Sequence, residues 1–213
     1  QQVQDALAAV DDEQIDAYTE EVNNDPLVPE LNSNVTIKKM QDGVYGTKLI
    51  TLSNGIKVHV LHTDYSPNSI AMRAISWGGS SLYPNSEYNL VDNAHMVQVG
   101  GWGQFSAIDL QKKLSGKQVS VEPSIADRTE ALHGSCVKKD LETMLQLTYL
   151  CFTSPRRDDD AYKSLLERTR NSLKNEDMNP ITALRDSIAS VVYNNNVRAL
   201  RMRTEDVDGL DYD

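Results

Sequence analysis

The chain has 213 residues, enough for one large domain, or one domain plus an arm, with a sizeable core. Its 31 acidic against 21 basic side chains give a net charge of −10, which repels phosphate backbones and argues against nucleic-acid binding. No apolar run approaches the ~20 residues that span a bilayer, and the two cysteines, Cys136 and Cys151, are too few for a disulfide scaffold or a structural zinc site.

Residues 1–24 carry Val3, Leu7, Val10, Ile15, Tyr18 and Val22 at near-helical spacing among acidic residues, which predicts one helix or two short ones. The opening QQVQDALAAVDDEQ lacks the pattern of a signal peptide and an initiator Met. The chain therefore reads as a fragment of a longer protein, with any export signal upstream and both periplasm and cytoplasm open. Asp25-Pro26-Leu27-Val28-Pro29 ends any helix, because proline removes a donor and biases its predecessor to extended geometry. Residues 1–33 are expected to form a helical connecting arm, and residues 34–213 a single domain.

From Val35 the apolar period becomes two. Val35-Thr36-Ile37 predicts a short extended piece before an Asp42-Gly43 turn. Thr47 to Leu52 and Ile56 to Leu61 flank Ser53-Asn54-Gly55, a hairpin signal because Asn-Gly reaches positive φ at little cost. A further strand is expected over Ile70 to Ile75, ending at Gly78-Gly79. Helices are expected over 87–99 and 106–115, with Ser106 as N-cap and Gly116 at the C-terminus of the second. Val119 to Ile125 and Arg128 to Cys136 predict an antiparallel pair, followed by helices at 138–152, 158–175 and 180–194. Asp158, Asp159 and Asp160 suit the N-terminus of one, and Pro180 the first turn of the next. The polar tail RALRMRTEDVDGLDYD is expected to be a loop or a frayed end. Strands followed by a run of helices predict an α+β fold, with an antiparallel or mixed sheet and helices on one face.

Residues 88–101, YNLVDNAHMVQVGG, stand out for what they lack. A helix carrying H-x-x-E-H holds a metal ion between two His four residues apart, and the Glu deprotonates a metal-bound water. The corresponding positions here are Val91, Ala94 and His95. Four other segments accompany this one: LSNGIKVHVLHTD at 52–64, ISWGGSSLY at 75–83, GGWGQFSAIDLQKKLSGK at 100–117 and LTYLCFTSPRRDDDAYKSLLER at 147–168. In that order and spacing they resemble the pitrilysin/insulinase-type zinc peptidases (inverzincins) over roughly residues 45–200. The resemblance is to the degenerate C-terminal half of the long bacterial members.

That resemblance implies a domain with no zinc and no catalytic residue of its own, zinc belonging to the other half of the parent protein. Val91 stands for the first His and Ala94 for the general base. The third ligand would come from a later helix, at Arg170-Asn171-Ser172-Leu173-Lys174, which offers no carboxylate; Glu167 and Glu176 flank it in other registers. In the family two similar halves close like a clamshell on an extended peptide, and the degenerate half forms the facing wall. The implied partners are therefore the catalytic half, in the same chain or a paired subunit, and peptide substrates. Two other readings remain: a structural paralogue serving assembly, as in core subunits of respiratory cytochrome complexes, and a stand-alone acidic peptide-binding module.

Other constellations carry less. His59 and His62, three apart in a strand, lie on opposite faces, and His133 stands alone. Ser135 within Gly134-Ser135-Cys136 is not a nucleophile elbow. The tail Asp206 to Asp211 misses the calcium-loop spacing. Gly100-Gly101-Trp102-Gly103 predicts a tight helix-to-helix link in which Trp102 and Phe105 pack, and Arg156-Arg157 predicts ion pairing to Asp158–Asp160.

Overall fold

Two three-stranded antiparallel sheets follow one another along the chain, and the helices gather on the second. The computed structural model describes residue 23, residues 25–29, residue 31 and residues 33–212. The helix expected over residues 1–24 therefore lies outside the described residues, apart from residue 23.

The first sheet is a meander of β1 (Ile37–Asp42), β2 (Lys48–Leu52) and β3 (Lys57–Val60). Its β2–β3 turn is the predicted one. Gly55 takes φ +91°, its N–H reaches the Leu52 carbonyl at 3.0 Å, and the Asn54 carboxamide oxygen accepts from the Ile56 N–H at 3.2 Å. The first strand begins at Ile37, where the short piece at 35–37 was expected to end, and continues to Asp42. Register places Met40, Ile50 and Val58 in one cross-strand row. That row is apolar yet open, with Met40 57% exposed.

The second sheet has the order β4-β6-β5, from β4 (Ser69–Trp77), β5 (Val119–Ile125) and β6 (Thr129–Val137). Alternation along β6 turns Leu132, Gly134 and Cys136 inward and His133 and Ser135 outward. Gly134 has no substitute there: a Cβ would stand 2.9 Å from the sulfur of Met144 and from the terminal methyl of Met72. On this inner face lies α3 (Leu141–Thr153), with Met144, Leu147 and Leu150 buried at helical spacing. Phe105, fully buried, closes the core from the neighbouring loop together with Leu110. Leu27 and Val28, from the proline-flanked connector, are buried in the same cluster. An α+β fold with helices on one sheet face is what forms.

Four shorter or later helices complete the fold: α1 (Tyr88–Asp92), α2 (Ala107–Lys113), α4 (Asp159–Asp177) and α5 (Pro180–Val192). Ser106 and Asp109 cap α2 reciprocally, each side chain accepting from the other's backbone N–H at 3.1 Å. Asp158 caps α4 by accepting from the Ala161 N–H at 3.0 Å, and Asn179 caps α5 ahead of Pro180. Cys136 is buried, Cys151 half-buried, and both are free thiols.

Two expectations are corrected. The helix foreseen over 87–99 is interrupted: α1 ends at Asp92, and a 3₁₀ helix runs from Ala94 to Gly100. Asn93, at φ −100° and ψ 7°, breaks it, because its side-chain amide reaches back to the Asn89 carbonyl at 2.9 Å. The tail is not frayed either. It contains α6 (Thr204–Val207), buries Val207 to 1% exposure, and stacks Tyr212 on Tyr162 with ring centroids 4.1 Å apart. A polar composition hid two anchors placed far apart in sequence.

Candidate functional site

The region around α1 is where a metal helix of the expected kind would lie. Val91 and Ala94 are half-buried and His95 is exposed. The break at Asn93 falls between Val91 and His95, so the two are not successive positions on one regular helix face. His95 Nδ1–H donates to the Asp92 carbonyl at 3.3 Å, leaving Nε2 as its only lone pair. Neither Val91 nor Ala94 has a donor atom or a basic group. A single imidazole does not make a zinc site, which takes three or four protein ligands. These residues therefore do not fit zinc.

The later helix does come to this place: α4 packs against the Ala94–Gly100 turn. Its contribution has the wrong charge for a cation. Arg170 donates to Asp208 at 2.6 Å, while Leu173 is buried in the interior. Glu167 is exposed, and Glu176 lies 3.9 Å from Arg201. Among the described residues no group of three or more His, Cys, Asp and Glu is arranged to hold a metal.

What surrounds α1 is a polar network that the sequence did not announce. The Asn89 amide donates to the Asp206 carbonyl at 2.8 Å, tying α1 to α6. Tyr88, Asp92, Asn93, Arg203 and Asp206 line an adjoining cleft of about 170 Å³. Burial raises the Tyr88 hydroxyl pKa, and neighbouring Asp92 pushes it the same way. Arg201 binds the carboxylates of Asp177 and Asp186, and its hydrogen bond to Asp177 raises its pKa further. The Asn-x-x-x-Asn spacing of 89 and 93 was legible as one turn; its partner in α6 was not.

The Gly-rich link behaves as expected. Gly101 adopts φ +89°, and Trp102 bridges to both Phe105 and Pro155. Arg156 spans the link and the next helix, donating to the Gly100 carbonyl at 2.9 Å and to Asp158 at 2.7 Å. Arg157 pairs with Asp159 at 2.9 Å and lies over the Tyr212 ring. Asp206 and Asp208, from the acidic tail, serve as a cap partner to Arg203 and an ion-pair partner to Arg170. His59 and His62 are both exposed, and His133 sits on the outer sheet face, in register with Arg73 and Glu122. Ser135 shares a 3.1 Å hydrogen bond with Ser120.

No protein-family model matches the chain. It is 30% identical over 128 residues to the probable zinc protease PqqL of Haemophilus influenzae, a match covering 60% of this chain and 14% of that protein. Its fold superposes on the periplasmic protease PqqL from Escherichia coli with a TM-score of 0.75, at 18% identity, over 99% of this chain and 23% of that one. The resemblance to the pitrilysin/insulinase-type zinc peptidases holds. The ferredoxin protease FusC, solved with Arabidopsis ferredoxin, aligns at a TM-score of 0.68 and 15% identity, over 97% of this chain and 24% of FusC. A protease from Helicobacter pylori aligns at 0.60 and 13% identity, over 83% of this chain and 41% of that one. The chain thus has the build of a peptidase-family domain and spans about a quarter or less of the length of the PqqL and FusC proteins. No described helix is long and apolar enough to cross a membrane.

Proposed function

We propose that this chain is a non-catalytic domain of a zinc metalloprotease, forming the wall of a peptide-enclosing chamber opposite the zinc-bearing half. One observation carries the reading: Val91 and Ala94 occupy the ligand and base positions, on a helix broken between Val91 and His95. Zinc and water activation then belong to the other half, in the same chain or in a paired subunit. The relatives' greater length supports this, since the match takes up 14% of the Haemophilus influenzae protein. Substrates are peptides, held between the two walls.

The test is metal retention followed by reconstitution. The purified chain is equilibrated with zinc, freed of excess, and its bound metal measured by atomic emission. Far less than one equivalent is expected; stoichiometric zinc held through His95 overturns the proposal. Added to a separately produced zinc-bearing half, the chain should raise peptide cleavage. A purely structural paralogue would leave cleavage unchanged.

A further inference from the structure

We propose that the free edge of β4 is a docking strand for an extended peptide, which pairs with it backbone to backbone; the inference rests on the chamber-wall reading and names the surface where that wall holds its substrate. β4 is nine residues long and has one neighbour, β6. Two bonds set the phase of that pairing: the Gly78 N–H to the Arg128 carbonyl at 3.0 Å, and the Lys138 N–H to the Asn68 carbonyl at 3.3 Å. Even-numbered residues of β4 therefore face β6. Ala71, Arg73, Ile75 and Trp77 turn their N–H and C=O groups to the open side.

The two edges of this sheet are built differently. Across β5 the Val137 N–H meets the Gln118 carbonyl and the Ala126 N–H meets the Thr129 carbonyl, so even-numbered residues face β6 there too. Pro123 is odd-numbered, and its nitrogen, which has no hydrogen, falls on the free side. The Ala94–Gly100 turn also packs against β5. β4 has none of these protections. It contains no proline and no lysine, its register with β6 is unbroken from Ser69 to Trp77, and no other described strand pairs with it.

A bare edge of this kind recognises extended backbone, and its side chains define the partner further. Ile75 is 53% and Trp77 84% exposed on the outer face, offering apolar contact to alternate residues of an added strand. Arg73, the only charged residue of β4, calls for a carboxylate beside it. The partner is an extended segment with alternating apolar residues and one Asp or Glu at the centre.

The probe is a fluorescein-labelled peptide of that design, titrated into the full chain and followed by polarisation and by Trp77 emission. Binding is expected, and N-methylation of alternate backbone nitrogens in the peptide should weaken it about tenfold or more. Ile75→Pro removes an outward N–H while sparing the β4–β6 ladder, and should weaken binding similarly with an unchanged circular dichroism spectrum. Arg73→Glu should shift preference to a peptide with a central Lys. If Ile75→Pro unfolds the chain, the N-methylated peptides still decide the matter. Binding indifferent to both N-methylation and Arg73→Glu overturns the edge assignment and leaves the chamber-wall reading standing. So does a dimer by sedimentation that Ile75→Pro dissolves, because the edge then belongs to a second copy. Stoichiometric zinc at His95 sinks the chamber-wall reading whatever β4 binds.

Discussion

Asn93 donates its side-chain amide to the Asn89 carbonyl one turn back, at 2.9 Å, and the α-helix ends there. The same Asn89 uses its own amide to hold the Asp206 carbonyl at 2.8 Å. The place where a metal helix would need regularity is therefore committed to a structural network. Restoring the ligand letters should not restore the site. The double substitution Val91→His with Ala94→Glu is expected to retain far less than one zinc per chain after desalting, measured by atomic emission. A stoichiometric, tightly held ion would show that regular helix geometry is not required.

Phe105 is fully buried between the Gly-rich link and α3. Phe105→Ala removes a whole ring from a close-packed core and should cost about 3–5 kcal/mol, read from the urea unfolding midpoint.

Val207 reports on the tail. At 1% exposure it is among the most buried side chains, although its neighbours are polar. Val207→Ala should cost about 1.5–2 kcal/mol, from the apolar groups withdrawn. An exposed tail would give a change near zero in the same melt.

The capping box of α2 makes a third stability prediction. Ser106→Ala removes the acceptor for the Asp109 N–H and should cost about 1 kcal/mol in a thermal or urea melt.

Acid sensitivity follows from Asp158. Its hydrogen bond from Arg156, its cap bond from Ala161 and the nearby Arg156 charge hold its carboxyl below the ordinary value of 3.8. A carboxylate with a lowered folded-state pKa stabilises the fold above the unfolded value, and that contribution is lost as pH falls through the folded value. Asp158→Asn should therefore lower the urea midpoint at pH 7, and the difference from the parent chain should shrink as pH falls below 3.8. A difference that stays constant down to strongly acid pH would assign the effect to geometry and not to charge.

Much of this fold was legible from local chemistry. Asn54-Gly55 marked the β2–β3 hairpin, Ser106 the start of α2, Asp158 that of α4, and Pro180 that of α5, each within a residue or two. Each signal acts on backbone groups within a few positions of itself. The α+β class followed from the change of apolar period along the chain. The altered ligand positions Val91, Ala94 and His95 could be read directly as letters, given the flanking segments that located them.

Where the chain departed from expectation, a distant partner was responsible. Val91 to His95 carry a helical pattern, yet Asn93 ends the helix while Asn89 is held by Asp206, 117 residues further on. The tail is polar in composition, yet Tyr212 accepts the Asp158 N–H at 2.9 Å and stacks on Tyr162. Leu27 and Val28 sit in a proline-flanked connector, yet join the core beside Phe105. Element type and missing donor atoms are properties of short stretches, so residue order alone settles them. Whether a helix stays whole, whether a tail is anchored and which strand edge is left bare depend on contacts between remote segments, and only the folded chain brings those together.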